Sequence, residues 1–456
     1  MITAGQQIAI VGAGVTGRSA ARYVARCGAQ PLVLDTRAEA AQPDDLPAGV
    51  EVRWGVTQWP DIDARTAIVS PGLALDACLL RQARNAGVTL YSDIDVFFAA
   101  VNEPVIGVTG TNGKSTVTAL AGHLLNYLGH SAGVGGNLGD AALDIIAPEH
   151  DCYVLELSSF QLERSRQHAY FRAVILNISE DHLDHHGSLP AYIAAKQNIY
   201  ARTQGCIVNR DDSACQPHSG KVRATYGLLP PRDQYDWGVA EVAGERCLCY
   251  RNESGNELMI PLGDLPLQGQ HNEQNMLAAC ALVSDLLGDR RRDLSAALRA
   301  FKGLPHRFEE VAAVAGVRYV NDSKATNLGA TLAALEGLPV SAQTILIAGG
   351  DAKGVDLSPL QPALQGRVKH LVVLGAAAAQ LVRIGGDAGV PVTACTTLEE
   401  CVAVAAARAV TGDTVLLSPA CSSLDMFSSF AERGRQFSAA ARGLAASGDL
   451  PVGGGC

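Results

Sequence analysis

The chain has 456 residues, 48% of them hydrophobic and only 5% aromatic, and a formal net charge of −10. This length is too great for one hydrophobic core, so two to four domains are expected. The acidic balance without a long basic run argues against a nucleic-acid partner, and no apolar run approaches the ~20 residues of a membrane-spanning helix.

A strand, a Gly-rich turn and a helix are predicted near the N-terminus, which lacks the pattern of a signal peptide. The strand is Gln7–Val11, the turn Gly12–Gly17 has the pattern GxGxxG, and the helix lies near Arg18–Cys27. A second strand, Pro31–Leu34, ends at Asp35. This arrangement is typical of dinucleotide-binding folds. It fits NAD and a nucleotide-sugar diphosphate equally, and a turn that serves only helix–strand packing is the structural alternative.

A phosphate-binding loop is predicted after two further strand patterns, Ala67–Ser70 and one that begins at Val88. The apolar run Val105–Val108 leads into Gly-Thr-Asn-Gly-Lys-Ser-Thr, and a helical pattern covers Val117–Leu128. Backbone N–H groups at such a helix start bind phosphate oxygens, the lysine reaches the terminal phosphates and a hydroxyl binds Mg²⁺. The spacing is more compact than that of the usual phosphate loop, and an ordinary Gly-rich turn is the alternative.

Glu156 ends a buried-strand pattern, Cys152–Glu156, and is a candidate Mg²⁺ ligand. Carboxylates at the C-terminal edge of a parallel sheet, beside a phosphate loop, are well placed for this cation. A solvated acid at a strand end is the alternative. The preceding segment, Gly133–Gly139, is expected to be a flexible loop that approaches a ligand closely.

Metal-capable side chains cluster in Ser179–His186, after the strand pattern Ala173–Asn177. Zinc is disfavoured because no cysteine or spaced ligand set accompanies the three histidines, and Mg²⁺ with its waters is expected instead. The 12 cysteines are scattered and are expected to be reduced thiols of a cytoplasmic protein. The helix Ala191–Lys196 ends in a lysine for which a surface position, with the amine in solvent, is the default.

A patchier region, 205–264, with a strand at Cys206–Asn209, precedes Gly269–Asn275. This segment opens a helix, Met276–Leu287, and Asn272 or Asn275 either caps the helix or binds a base or a phosphate. Phe301–Glu309 is interpreted as a linker into a third domain.

The third region begins with a strand, Val317–Val320, followed by the opposite charges of Asp322 and Lys324. Asp322 and Lys324 belong either to a binding site at the strand end or to a solvated charge pair in a turn. Three more buried strands are expected, at Thr344–Ala348, His370–Gly375 and Thr414–Ser418. Their spacing predicts another doubly wound unit.

The order of these motifs resembles that of the Mur ligases of peptidoglycan synthesis. The motifs are Gly110–Thr116, Leu155–Glu163, Asn177–His182, Gly269–Asn272, Gly303–Glu309 and Asn321–Asn327. The resemblance runs from about Gln7 to Ala440 and implies a ligase that uses ATP to form an acyl phosphate, which the amine of an amino acid then attacks.

Within the family, Asp322–Asn327, Gly349–Lys353 and Leu417–Asp425 point to the branch that adds D-glutamate to UDP-N-acetylmuramoyl-L-alanine. A ligase for L-glutamate, or for another amino acid or a folate, stays open as an alternative. A nicotinamide-dependent oxidoreductase is a remote one, because it leaves Lys114 and Glu156 without a role. The segment Met426–Phe430 departs from the family in carrying serines where many relatives have a lysine and an asparagine.

The resemblance also implies roles for individual residues. ATP would be bound by Gly110, Thr111, Asn112, Gly113, Lys114, Ser115, Thr116, Asn272, Arg307 and Asp322. Mg²⁺ would be bound by Ser115, Thr116, Glu156, His182 and Lys196, the last as a carbamate. The UDP-sugar substrate would be bound by Thr16, Asp35, Thr36, Arg37, Gly72, Asn137, Ser158 and Gln161, and glutamate by Thr326, Asp351, Lys353, Ser423 and Phe430. The catalytic residues would be Lys114, His182, Lys196, Lys324 and Lys353.

The expected fold is α/β, with three doubly wound or Rossmann-like domains and mostly parallel sheets. Residues 1–97 would bind the UDP substrate, residues 98–303 ATP, and residues 304–456 the amino acid. The third domain would swing about a hinge near Gly303–Pro305. We expect a cytoplasmic monomer without nucleic-acid or membrane partners, and a disordered tail at Leu450–Cys456.

Overall fold

The computed structural model describes residues 2–38, 43–74, 77–252, 255–267, 269–338 and 343–447. They form three sheets in two compact units, Met1–Leu265 with Glu273–Phe301, and Pro266–Asn272 with Lys302–Cys456. The tail predicted to be disordered lies outside the described residues.

The first sheet has five parallel strands in the order β3-β2-β1-β4-β5. The strands are β1 (Gln7–Val11), β2 (Gln30–Leu34), β3 (Glu51–Arg53), β4 (Thr66–Val69) and β5 (Thr89–Tyr91), and the helices are α1 (Val15–Arg26), α2 (Cys78–Asn85) and α3 (Asp93–Ala100). The strand order reverses between β1 and β4, and in such sheets ligands bind at the carboxyl ends of the strands that flank the reversal.

The second sheet has nine strands in the order β14-β13-β12-β11-β10-β9-β6-β8-β7. Its strands are β6 (Val105–Thr109), β7 (Ala132–Gly136), β8 (Cys152–Glu156), β9 (Arg172–Ile175), β10 (Cys206–Asn209), β11 (Val222–Tyr226), β12 (Asp236–Val242), β13 (Glu245–Asn252) and β14 (Gly255–Pro261). Its helices are α4 (Lys114–Tyr127), α5 (Ser159–Arg164), α6 (Leu183–His186), α7 (Leu189–Gln197), α8 (Gln270–Leu287) and α9 (Leu294–Ala300), with 3₁₀ turns at Ser213–Cys215, Leu262–Asp264 and Gly288–Asp293. Only the β12–β14 meander is antiparallel among the described strand pairs of this sheet.

The third sheet has six strands in the order β15-β16-β20-β17-β18-β19, and β15 alone among its described strands runs antiparallel to its neighbour. The strands are β15 (Glu309–Val314), β16 (Val317–Asn321), β17 (Thr344–Gly349), β18 (Val368–Leu374), β19 (Val392–Ala394) and β20 (Thr414–Leu417). The helices are α10 (Leu328–Glu336), α11 (Leu360–Leu364), α12 (Ala378–Asp387), α13 (Leu398–Arg408) and α14 (Phe430–Ser447).

The predicted fold class is confirmed, because all three sheets are mostly parallel and carry helices in their crossovers. Strands β6, β8 and β17 are buried along their whole length, as their runs of apolar residues require. The cysteines among the described residues are all free thiols. Within the same part of the chain, every helix is too short or too polar to cross a membrane.

Two sequence predictions were wrong. The first four residues of the expected loop at Gly133–Gly139 belong to strand β7, because its glycines let neighbouring groups approach. A Cβ on Gly133 would lie 2.6 Å from the Tyr153 ring, and one on Gly136 would collide with the backbone oxygen of Glu156. Helix α8 begins at Gln270, so Asn272 lies inside the helix and does not cap it, and neither does Asn275.

Candidate functional site

The predicted phosphate loop connects β6 to α4. Gly113 takes the left-handed conformation directly before the helix, with φ +81°, and a Cβ there would lie 2.5 Å from the Asn275 side-chain oxygen. Gly110 is also positive in φ, and a Cβ there would lie 2.9 Å from the Cβ of Leu176. The two glycines are therefore required by backbone shape and by crowding.

The loop is held by the segment that follows β9, which the sequence analysis did not single out for this role. The Asn177 side chain accepts from the Asn112 N–H (2.8 Å) and donates to the Asn112 carbonyl (3.1 Å). The hydroxyl oxygen of Thr111 accepts from the Ser179 N–H (3.0 Å) and lies 3.1 Å from the Tyr192 hydroxyl. These contacts fix the loop before any ligand binds.

Two lysine amines meet at one carbonyl of the loop. Lys114 donates to the carbonyls of Gly110 (2.9 Å) and Thr111 (2.7 Å). Lys196, on α7, donates to the same Gly110 carbonyl at 2.9 Å and to the Thr109 hydroxyl at 3.3 Å. The structure thus brings two predicted catalytic residues together.

Lys196 is 1% exposed, which excludes the alternative of a surface lysine with its amine in solvent. Its amine lies 4.6 Å from the centre of the Tyr192 ring. Burial, and next the charge of Lys114, hold the pKa of Lys196 well below its usual value. A neutral amine is the form that reacts with CO₂ to give a carbamate.

Glu156 is 2% exposed at the end of β8. Its Oε1 accepts from the Asn137 side chain at 2.8 Å, whereas its Oε2 is buried without a hydrogen-bond partner among the described residues. A solvated strand-end acid is therefore excluded. An unpaired carboxylate oxygen in the interior fits a bound cation, since buried charges are otherwise paired.

The remaining predicted Mg²⁺ ligands differ in exposure. Ser115 and Thr116 lie in the first turn of α4, at 3% and 8% exposure. The His182 side chain is 44% exposed, stands 3.7 Å from Asp181 and packs edge-on against Phe160. The oxygen donors beside the loop fit a hard cation.

The first sheet carries a rigid acid–base pair at the ends of β1 and β2. Asp35 accepts from the Ala13 N–H (2.6 Å) and from the Arg37 backbone (2.9 Å), and the Arg37 guanidinium binds both carboxylate oxygens at 2.9 Å. The hydrogen bond from Arg37 is the main cause that lowers the pKa of Asp35 to about 2. The Arg37 guanidinium also lies 5.4 Å from the centre of the Trp54 ring, and the Arg37 side chain is 57% exposed.

The other predicted UDP-substrate residues fall into two groups. Thr36 and Gly72 are exposed, and Thr16 is half-buried in the first turn of α1. Ser158 and Gln161 instead form the capping box of α5, and Gln161 also donates to Asp93 of α3 at 3.2 Å. Their side chains hold α5 in place and tie it to the first sheet.

In the second compact unit, Asp322 follows β16 and accepts from the Phe308 N–H (3.2 Å) and the Ser418 hydroxyl (2.9 Å). Desolvation raises the pKa of Asp322 to about 7. The half-buried Arg307 is the nearby charge that opposes this rise. A carboxylate with this donor set accepts hydrogen bonds and is not the solvated acid of an exposed turn.

The neighbouring Lys324 directs its amine onto the Phe430 ring, 4.0 Å from its centre. Thr326 continues this turn, with its N–H bonded to the Lys324 carbonyl at 2.8 Å. Asn272 is 7% exposed in the first turn of α8. The predicted residues Lys324 and Phe430 are therefore in contact.

Asp351 and Lys353 line a cavity of about 460 Å³ between the β17 end and α12. The Asp351 backbone pairs with that of Ser422, its carboxylate accepts from the Lys353 N–H at 2.8 Å, and Lys353 has φ +50°. Ser423 is 3% exposed in the turn beside this pair. Arg383 and Asp356 also line the cavity, so its lining combines two cations with two carboxylates, a combination that suits a ligand carrying both charges.

Sequence reasoning missed Arg433 of α14, which is 1% exposed. Its guanidinium donates to the carbonyls of Gly349 (3.3 Å), Ser323 (3.0 Å) and Cys421 (3.2 Å) and so ties together three strand ends. Burial lowers its pKa to about 10. The sequence does not distinguish this buried arginine from a surface arginine, because the groups it binds follow three different strands.

The serines that depart from the family pattern have a structural role at the start of α14. The Ser429 hydroxyl accepts from the Glu432 N–H at 3.1 Å, and the Glu432 carboxylate accepts from the Ser428 N–H at 2.7 Å. Together they satisfy N–H groups at the helix start, as a capping box does.

Comparisons with known proteins find Mur ligase domains and relatives along most of the chain. Family models match in chain order: the Mur ligase MurD-like N-terminal domain at residues 6–92, the Mur ligase middle domain at 108–283 and the Mur ligase glutamate ligase domain at 306–421. The UDP-N-acetylmuramoylalanine–D-glutamate ligase of Pseudomonas putida is 42% identical over 456 residues, 98% of this chain and 99% of the relative. The enzyme of the same name from Nitrosococcus oceani is 42% identical over 442 residues, 95% of this chain and 96% of the relative.

Solved structures share the fold at low sequence identity. UDP-N-acetylmuramate-alanine ligase from Thermotoga maritima superimposes with a TM-score of 0.63 and 19% identity, over 97% of this chain and 100% of that one. The MurF ligase of the same organism, in complex with ADP, gives a TM-score of 0.60 and 15% identity, over 98% and 96%.

Proposed function

Because the chain belongs to the Mur ligase family, we propose that it joins D-glutamate to UDP-N-acetylmuramoyl-L-alanine with the energy of ATP, in peptidoglycan precursor synthesis. The observation that carries the proposal is the 42% sequence identity, over nearly the full length of the chain, to ligases named for the addition of D-glutamate. The pair of lysines at the predicted phosphate loop supports it, since an oxidoreductase would leave these lysines without a role.

The reaction needs a leaving group on a carboxylate, which is a poor electrophile. The substrate carboxylate accepts the terminal phosphoryl group of ATP, the glutamate amine attacks the acyl carbon, and phosphate leaves as the amide forms. The N–H groups at the start of α4 bind phosphate oxygens, and Lys114 turns from the loop carbonyls to the transferred phosphoryl group. Positioning and charge neutralisation account for most of the rate in such transfers.

Mg²⁺ would be held by Ser115 or Thr116 and by the unpaired oxygen of Glu156, with His182 and a carbamate of Lys196 at a second position. The cation neutralises phosphate charge during transfer. The lowered pKa of Lys196 supports the carbamate. A carbamate offers two oxygen donors to a hard cation, whereas a protonated amine offers none.

The UDP end of the substrate would be bound at the first sheet. Asp35 and Arg37 offer fixed acceptors and donors beside the glycine turn, and the N–H groups of that turn suit a diphosphate. Thr16 and Thr36 would also contact the uridine diphosphate. The sugar would lie along Gly72, Asn137, Ser158 and Gln161. We therefore interpret the GxGxxG motif as a UDP site and not as a nicotinamide site.

Glutamate would be bound in the second compact unit. In the cavity, Lys353 and Arg383 can pair with the carboxylates of glutamate, and Asp351 and Asp356 can accept hydrogen bonds from its ammonium group. Thr326, Asp351, Ser423 and Phe430 would complete this end, with Lys324 facing the acyl phosphate. Asn272, Arg307 and Asp322 would bind the adenine, a phosphate and the ribose of ATP.

Phosphate release separates the candidate functions. We expect ATP-dependent release only when UDP-N-acetylmuramoyl-L-alanine and D-glutamate are both present, and little with L-glutamate. Phosphate release with L-glutamate but not with D-glutamate, in the presence of the UDP substrate, would favour the L-glutamate-adding alternative. Oxidation of NADH or NADPH without phosphate release would favour the oxidoreductase.

The proposal further places the enzyme in the cytoplasm as a monomer, with domain boundaries at 97/98 and 303/304.

A further inference from the structure

Helices α5 and α6 bring three metal-binding side chains together outside the phosphate loop. Glu163 lies near the end of α5, and His185 and His186 end α6. The Nε2 atom of His185 is 2.9 Å from Oε2 of Glu163, and Nδ1 of His186 is 3.7 Å from its Oε1. Ligand atoms of all three residues lie within 4.8 Å of one another.

His186 gives an independent sign that this cluster binds an ion. Its side chain has 0% exposure, and its Nδ1 has no hydrogen-bond partner among the described residues although it faces Glu163. Its other nitrogen, Nε2, is 2.9 Å from the Ser159 hydroxyl. In the tautomer with the proton on Nε2, a buried lone pair is directed at a carboxylate. Buried polar atoms are normally paired, so this arrangement of donors suits a cation between them.

We propose that Glu163, His185 and His186 bind a divalent transition-metal ion of the zinc class. Two imidazoles and a carboxylate are a typical donor set for such ions, whereas Mg²⁺ prefers oxygen donors. Tetrahedral ligands at about 2.0–2.1 Å from a metal lie about 3.3 Å apart. The two imidazole nitrogens are 2.9 and 3.7 Å from the Glu163 carboxylate, which is close to that separation. The Glu163 and His185 side chains are 30% and 24% exposed, which lets the ion enter and leaves a fourth position for water.

The bound ion would act on the packing beside the predicted catalytic histidine. The Phe160 ring stacks on His186 at 5.5 Å, meets His185 edge-on at 4.3 Å and contacts His182 at 5.0 Å. An ion that fixes two of these histidines also fixes the ring against which His182 rests. The binding inference does not depend on the reaction that the enzyme catalyses.

Cobalt(II) tests the inference, because it absorbs visible light strongly in a tetrahedral site and weakly in an octahedral one. We expect titration of the full chain in excess Mg²⁺ to give a strong visible band that saturates at one Co²⁺ per chain and disappears on addition of Zn²⁺. Glu163→Gln and His185→Gln should each weaken binding by about tenfold or more. These two side chains are partly exposed, so the variants are expected to fold, which circular dichroism would verify.

Three control variants locate the ion. His218→Gln alters an exposed histidine elsewhere and should bind Co²⁺ like the unmodified chain. Glu156→Gln should also keep the band, since it alters only the expected Mg²⁺ site. A sulfur-to-cobalt band in the near ultraviolet that is lost in His130→Gln would place the ion at His130, Asp151 and Cys152, the other candidate group among the described residues. That result, or equal binding by Glu163→Gln and His185→Gln, would overturn the proposal.

Discussion

At the scale of single residues, the phosphate loop is defined by two amines on one carbonyl. Lys114 is the more accessible of the two, and Lys196 is enclosed. Their different burial suggests different roles, since a partly exposed ammonium can neutralise phosphate whereas a buried amine is easily deprotonated.

Replacement of Lys114 by alanine should reduce turnover by about 10²-fold or more, because the transferred phosphoryl group loses a neutralising contact. Phosphate release at saturating substrates measures it. Lys221→Ala, at an exposed position, is the matched control and should retain full activity. Near-normal turnover of Lys114→Ala would contradict the phosphate-loop assignment.

Replacement of Lys196 by alanine should abolish activity and allow partial rescue by short carboxylates, which occupy the position of the carbamate oxygens. Rescue should depend on carboxylate concentration and should not occur in Lys114→Ala, since no oxygen ligand is missing there. A Lys196→Ala enzyme as active as the unmodified chain would rule out the carbamate.

Asp93 predicts a pH effect on stability. It is 2% exposed, and desolvation raises its pKa from 3.8 to about 6. The folded state therefore holds a proton that the unfolded state has released, and stability falls as pH rises between about 4 and 6. Asp93→Asn mimics the protonated acid, so its advantage in free energy of unfolding should grow across that range toward about 3 kcal/mol, measured by denaturant unfolding at each pH. Asp61→Asn, at an exposed position, is the control, and a pH-independent difference for Asp93→Asn would contradict the assignment.

At the scale of elements, apolar runs allowed several strands to be predicted to the residue, among them β8 and β10. Helix starts were predicted too late, because α4 and α8 open with polar residues that resemble loops. The sequence did not predict that the glycines of β7 form a strand, nor did it predict the β12–β14 meander. Both depend on pairing with strands that the local pattern does not reveal. For the site, the sequence indicated the loop, Glu156 and Lys196, but the contacts of Asn177 and Arg433 depend on the tertiary fold.

Strand β7 predicts the effect of one added methyl group. Gly136→Ala places a Cβ against the Glu156 backbone oxygen at a φ of +103°, so it should destabilise the protein by about 1–3 kcal/mol and move Asn137 away from Glu156. Denaturant unfolding measures the loss. Gly386→Ala, where no neighbour lies within 4 Å of the new Cβ, is the control and should be neutral or stabilising. Equal stability of the two variants would refute this account of β7.

At the scale of the whole molecule, the predicted ligand groups are divided between two compact units of the chain. Lys114 belongs to one and Lys353 to the other, and the linker after Phe301 contains Gly303 with φ +78°. Closure about such a linker would exclude water from an acyl phosphate that hydrolyses readily.

We therefore predict that ATP with the UDP-sugar substrate reduces the radius of gyration in solution scattering. Each ligand alone should produce a smaller change, because closure needs groups from both compact units. Scattering profiles that coincide for the free, singly and doubly liganded protein would contradict domain closure.

The Gly110 carbonyl shared by Lys114 and Lys196 makes nucleotide binding and proton binding interdependent. A phosphate that attracts Lys114 removes a competing donor and a repelling charge from Lys196, so the proton affinity of that amine rises. By thermodynamic reciprocity, the ionisation state of Lys196 sets part of the affinity of the loop for phosphate. With the proposed carbamate, which consumes the neutral amine, the loop would couple the supply of dissolved CO₂ to the occupancy of the proposed nucleotide site.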